Sequence, residues 1–376
     1  MSTRSPRLIE LDSLRGIAAL IVVLHHAYLS LPDLPGWLHW TLDATPLRLI
    51  GKGRPAVIFF FVLSGFVLSR ALIAQEAARP GSVLSAPGWA HYASQRALRL
   101  GLPVLASLVL SAGLQLMLWE GPLPAETPGL VGAATWSRMW SWKGFTEQAL
   151  LLSSGNGYQL NPVLWSLVHE WRISLLLPFV LVFRGRLAML MAVALVGAAI
   201  ARLAGMPEGD VALGSSLLKT FAATAGFLPA FAAGAALALG RVPRLDRGQA
   251  LAAGIAVLVM AMAAHDYGVI LASVLLILLA QRDGPFAREM RRPSLVWLGR
   301  VSFSLYLVHM PLLAAATHLL REQDVPEVAA LIAVALSFPA AALMCRWVEM
   351  PAHRLARRIR PPATRAPAGL PTGALR

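Results

Sequence analysis

An all-α bundle of membrane-crossing helices, about ten of them with both termini cytoplasmic, is the architecture this sequence encodes, on three counts. The chain is 57% hydrophobic and only 14% charged, where a soluble domain carries about a quarter charged residues. Its mean hydropathy is +0.63. Runs such as LVLSAGLQLML and LAMLMAVALVGAAIARLAG lack the polar face of a soluble helix, and roughly 17–25 such residues cross a bilayer core.

Taken in order, the apolar segments fall near 8–29, 55–73, 98–118, 163–183, 187–205, 213–239, 249–264, 267–281, 295–317 and 327–348. The first has no small-residue cleavage site after it and reads as a retained span rather than a signal peptide. The sixth is long and is expected to bend at Pro229 or to begin outside the bilayer core. The eighth is short. The longest loop, roughly 119–162, is rich in Trp, Gly and Pro, as functional lids often are. Residues 1–352 read as one membrane domain, and 353–376 as a basic, Pro-rich cytoplasmic tail without fixed structure.

Lys and Arg set the orientation. With the N-terminus inside, Arg184, Arg186, Arg241, Arg244, Arg288 and Arg292 fall in cytoplasmic loops. One cluster, Arg48, Lys52 and Arg54, then lies outside, where it would meet an anionic glycan or lipid headgroups. The formal charge of +14 (33 Lys and Arg against 19 Asp and Glu) is thus read as topology and lipid contact rather than nucleic-acid binding. The single cysteine, Cys345, excludes an internal disulfide and a cysteine-rich metal site. No metal is expected.

Ionisable residues inside the spans carry the functional signal. Arg15 and His26 are eleven positions apart, which at about 100° per residue puts them within roughly 20° of one helix face and about 16 Å apart in height. Either both line a cavity, or Arg15 snorkels to cytoplasmic phosphates and His26 bonds a neighbouring helix. His25, about 100° round the helix, reads as packing. In the second span, the Ser64–Gly65 pair reads first as a close helix approach. His169, Glu170 and Arg172 lie in an otherwise apolar stretch, and His169 and Arg172 are candidate partners of Glu170. His309 lies near mid-depth of the ninth span; Arg346 and Glu349, at the end of the tenth, could simply pair. Placed by depth, Arg15, Arg96, Arg99 and Arg300 gather at the inner face, while His26 and Glu170 share the outer half. Clustered arginines suit a phosphate-bearing donor. A histidine beside a carboxylate suits a general base acting on a hydroxyl.

At these residues the sequence resembles the acyltransferase-3 family of membrane acyltransferases. LDSLRGIAALIVVLHHA is similar to its Arg-x10-His signature at Arg15 and His26, FFFVLSGF to its Phe-x-x-Ser-Gly-Phe motif, and QRALRLGLP to its basic motif at Arg96 and Arg99. LWSLVHEWRISLLLP resembles its Trp-Ser-Leu…Glu motif at Trp165, Ser166, Leu167 and Glu170. GRVSFSLYLVHMP and RWVEMP resemble its closing motifs, at Tyr306, His309 and Glu349. Where many members carry an acid early in the second span this chain has Ile58, and after Glu170 it reads Trp171, Ile173 and Ser174. The roles of those missing acids are therefore not carried over.

The resemblance implies transfer of an acyl group, usually acetyl from acetyl-CoA as co-substrate, to a hydroxyl of a surface glycan, lipid-linked sugar or small molecule. It implies a multi-pass protein of a bacterial inner membrane and no permanently bound cofactor. On that reading His26, Glu170 and Arg15 are catalytic, with Glu170 orienting His26 or shaping the acceptor pocket. Arg15, Arg96, Arg99 and Ser64 hold the acyl-CoA, while Trp165, Ser166 and His309 line the acceptor site. Two other readings stand beside it. A proton-coupled transporter would use His and Glu as a relay, although paired broken helices and inverted halves are not evident. A structural scaffold leaves the buried charges without a purpose.

Overall fold

Each of the ten apolar segments falls on a helix in the computed structural model, which describes residues 8–32, 34–45, 47–124, 126–152, 158–206, 216–240, 243, 245–263 and 265–359. In order these are α1 (Ile9–Leu29), α2 (Arg54–Ala78), α3 (Ala86–Leu118), α4 (Leu164–Leu176), α5 (Leu187–Leu203), α6 (Leu217–Gly226), α7 (Leu228–Leu239), α8 (Arg247–Ala263), α9 (Asp266–Ala280), α10 (Pro293–Leu319), α11 (Pro326–Met344) and α12 (Met350–Arg358). Short helices fill several connections, and no strand occurs among the described residues. Among the described residues, five stretches are long and apolar enough to cross a membrane, rather than ten: α2, α3, α4 with the turns after it to Phe183, α10, and α11 running on through α12. The bent α6–α7 pair makes six if it is one span, α5, α8 and α9 are shorter apolar helices, and α1 is not among the candidates.

Prolines shape the spans. The sixth segment breaks by 42° between α6 and α7, with Pro229 in the first turn after the break. Pro178 ends α4 and sends the chain into 3-10 turns over Leu177–Phe183. Its missing N–H denies the Ser174 carbonyl its usual helical partner; that carbonyl accepts instead from the Leu177 N–H and from the Tyr92 hydroxyl at 3.0 Å. Pro311 inside α10 likewise frees the Leu307 carbonyl, and Asn161 Nδ2 donates to it at 2.8 Å. The second repair pins the end of the long loop beside His309.

The most extensive helix contact joins α1 to α10. A Cβ on Gly16 would stand 2.5 Å from the Gly299 backbone nitrogen, and one on Gly299 would collide with the Asp12 carbonyl. Small residues allow this approach, the usual route to tight packing in lipid. Ten residues further along both helices, about 15 Å away, His26 meets His309. The two helices are therefore parallel and in register. Gly299→Val is expected to cost about 1–3 kcal/mol through overpacking, read as a lower thermal midpoint in detergent. Gly113→Ala, with open space around it, should leave the midpoint where it was.

The last helix runs to Arg358, past the expected domain boundary at 352, and residues 360–376 lie outside the described residues, as do Arg241 and Arg244. The loop at the His26 end is folded. Trp136 is fully buried with a left-handed backbone (φ 53°), and its indole donates to Ser111 Oγ at 2.9 Å. Burial pushes the Tyr158 hydroxyl above its ordinary range, so it stays protonated and donates to the Leu152 carbonyl at 2.7 Å.

Candidate active site

A cavity of about 400 Å³ opens between α1, α2, α3, α4 and α10. Four arginines line it: Arg15, Arg70, Arg96 and Arg99. Asp12, Glu170 and Glu349 supply acid, and Ser64, Ser166, Ser302 and Tyr306 supply hydroxyls, against walls that include Phe60, Phe66 and Phe303.

Arg15 is held to α10, Nε donating to Ser302 Oγ at 3.0 Å and Nη2 to the Gly299 carbonyl at 3.3 Å, with Asp12 Oδ1 at 3.5 Å from Nη2. Arg96 is only 8% exposed. Its Nη2 donates to Glu170 Oε1 at 3.0 Å, and Ser64 Oγ donates to the same oxygen at 3.2 Å. Ser64 therefore bonds a carboxylate, while Gly65 next to it provides the close approach, lying against the Phe231 backbone of α7. Glu349 ends a π-helical stretch, Cys345–Glu349, whose wider turn re-aims the residues after it. Its Oε2 accepts from Ser304 Oγ at 2.7 Å.

At the far end, Ser166 Oγ lies 2.8 Å from the Tyr306 hydroxyl, which donates to the Val163 carbonyl at 2.8 Å. The Tyr306 ring contacts Phe60 on one side (centroids 6.1 Å apart) and His309 on the other (5.9 Å). Beyond it, His26 Nδ1 lies 2.9 Å from His309 Nε2.

Several expectations are revised by this geometry. Glu170 is not the partner of His26: its carboxylate belongs to Arg96 and Ser64 in the arginine cavity, and His26 pairs with His309. Depth read from span order placed Glu170 too far towards the loop end. His169 and Arg172 do not serve Glu170 either, because residues one and two positions away on a helix point about 100° and 200° round it. His169 Nδ1 meets Thr224 Oγ1 at 3.0 Å, and Arg172 donates to Thr220 and Thr224 on α6. Trp165 packs on His169 and Phe227, away from the cavity that its neighbour Ser166 lines. His309, buried at 2% exposure, does not line the cavity but meets Tyr306, which does. Arg300 is exposed and outside the cavity, and Arg346 lies over the Trp347 ring rather than on Glu349. In the cluster expected outside, Arg54 is bound to Asp266 at 2.9 and 2.6 Å, while Lys52 is exposed. His25 Nδ1 lies 2.9 Å from the Ile50 carbonyl, a packing role.

The sequence profile of the family described as the acyltransferase domain matches residues 8–346. The chain belongs to the acyltransferase-3 family. No curated protein and no solved structure matches it. The protein is thus an acyltransferase, built as a bundle of membrane-type helices, and the matched region takes in every cavity residue named above except Glu349. Several polar groups of the acyltransferase cavity escaped sequence reasoning. Arg70, six residues past Ser64, carries a signal in the sequence, a cation at the end of a polar-marked span. Asp12 precedes Arg15 by one helix turn. Glu349 was visible as a motif residue, yet only the π-helical turn shows which way it faces.

Proposed function

We propose that this acyltransferase carries an acyl group, acetyl in our reading, from acyl-CoA at the cytoplasmic face to a hydroxyl of a surface glycan, lipid-linked sugar or small molecule presented at the other face of a bacterial inner membrane. The observation that carries the reading is a cavity lined by four arginines and by Tyr306, whose ring meets that of His309, which in turn pairs with His26 just outside the cavity lining. Arginines bind phosphate with directed, charge-assisted hydrogen bonds, so Arg15, Arg70 and Arg99 receive the donor's phosphates. The apolar walls of Phe60, Phe66 and Phe303 accept the thioester arm, which reaches Tyr306. His26 takes the acceptor's hydroxyl proton as the oxygen attacks the thioester carbonyl. The C–S bond breaks, and the proton passes to the departing thiolate, giving ester and free CoA thiol.

Vesicles containing the protein, acetyl-CoA and an envelope extract as acceptor should release free thiol together with an acetylated product. Arg15→Ala should raise the donor KM about 10–100-fold, the loss of a charged hydrogen bond worth about 1.5–3 kcal/mol. A proton-coupled transporter would release no thiol. Thiol release that needs no Arg15, or no thiol release with any hydroxyl acceptor, overturns the reading.

A further inference from the structure

We infer that His309 is a positioning residue that fixes which nitrogen of His26 carries the proton, leaving His26 Nε2 as the basic atom. The inference rests on His26 acting as the base in the proposed transfer, and it replaces the acceptor-binding role expected for His309.

Geometry carries it. The two ring centroids are 5.1 Å apart with planes 14° from parallel, and the facing nitrogens are 2.9 Å apart. The centroid separation exceeds the nitrogen separation by roughly two ring radii. The rings therefore meet edge to edge in nearly one plane, the arrangement of an N–H···N hydrogen bond rather than of a face-to-face stack. On the other side of His309, Nδ1 lies 3.3 Å from the Leu305 carbonyl one turn earlier. A carbonyl can only accept, so Nδ1 of His309 holds the hydrogen. In a neutral imidazole the second nitrogen is then an acceptor, and Nε2 of His309 must accept from His26. That places the hydrogen of His26 on Nδ1 and a lone pair on its Nε2. His26 Nε2 makes no hydrogen bond among the described residues, and unlike His309 the residue is only half-buried, so this lone pair remains available to a hydroxyl.

The relay from Leu305 through His309 to His26 plays the part that a buried carboxylate plays in other base-dependent acyl transfers: it sets tautomer and ring orientation. The groups facing the pair are His25 from α1, with its ring 5.3 Å from that of His26, and Tyr306 from α10. His25 is turned to the Ile50 carbonyl and Tyr306 to Val163, so neither competes for the shared hydrogen bond. Tyr306 also links His309 to the arginine cavity, which puts the base one ring beyond the place where the thioester arrives.

Four measurements test the assignment. His309→Ala should lower kcat on the order of 10²–10⁴-fold with the donor KM unchanged, because His309 does not line the donor cavity. His309→Gln, whose amide oxygen can take the place of Nε2, should recover most of that loss, whereas the shorter His309→Asn should not. In a His26→Ala background, adding His309→Ala should cost nothing further, since a residue that acts only through His26 has nothing left to act on. Nitrogen-15 spectra of the labelled histidines read the inference without any catalysis: His26 should show the Nδ1–H form in the parent protein and in His309→Gln, and a mixture of forms in His309→Ala. An unchanged Nδ1–H signal in correctly inserted His309→Ala overturns the inference even if acyl transfer stands. A parent protein that shows the expected tautomer but releases no thiol from acyl-CoA overturns the functional reading instead.

Discussion

A correctly inserted His26→Ala protein is expected to lose acyl transfer by on the order of 10²–10⁴-fold, the usual contribution of a positioned general base, while binding acyl-CoA as the parent does. The split follows from where the residue sits. In the proposed reaction the donor occupies the cavity lined by Arg15, Arg70, Arg96 and Arg99, whereas His26 lies beyond Tyr306, against His309. Its removal should therefore lower kcat and leave the donor KM alone, the mirror image of Arg15→Ala. Stability should change little, because the His26 ring is half-buried and the α1–α10 seam is held at its other end by Gly16 and Gly299. The measurement is thiol release against donor concentration for both variants, with insertion checked by size exclusion in detergent. Equal kcat in parent and His26→Ala would remove His26 from the chemistry.

How much of this was legible in the sequence depends on the kind of signal. Helical segments were readable because burial in lipid needs long apolar runs, and each run lies on a helix or, at the Pro229 bend, on two; the number of spans was not, since only five or six of the described helices are long and apolar enough to cross. The arginine side of the site was readable in part, since cations within apolar stretches must face something polar: Arg15, Arg96 and Arg99 all line one cavity, while Arg300, placed with them by depth, is exposed and outside it. Partner choice was not. Spacing along one helix says which residues share a face, not which face of another helix meets it. Pairing His26 with Glu170 therefore failed, while the glycine contact that brings α10 in register with α1, and so His309 to His26, lies nearly three hundred positions away in the chain. Local backbone repairs were equally hidden: Pro311 is plain in the sequence, but that Asn161 takes the carbonyl it frees is a fact of tertiary structure. The π-helical turn before Glu349 belongs to the same class.

Glu170→Ala is expected to be the most destabilising change in the site, because it strands a cation. Arg96 is 8% exposed, its Nε has no hydrogen-bond partner among the described residues, and Glu170 is its one counter-ion among them. Breaking a buried pair by removing one member costs about 3–5 kcal/mol, here towards the lower figure, since the Glu170 side chain keeps 17% exposure. Glu170→Gln keeps an oxygen for both Arg96 and Ser64 and should lose less. The instructive variant removes both charges. Arg96→Met with Glu170→Leu leaves no buried charge and should recover most of the thermal stability lost by Glu170→Ala, as apolar replacements of buried pairs commonly do. It should not recover activity, because the cavity has then lost one of its four arginines and the carboxylate that holds Ser64. Thermal midpoint and thiol release, measured on the same preparations, separate the two roles. If the double variant regains both, the pair only holds helices together; if it regains stability alone, Arg96 and Glu170 serve the reaction, and their burial is the cost of keeping charge where the donor must bind.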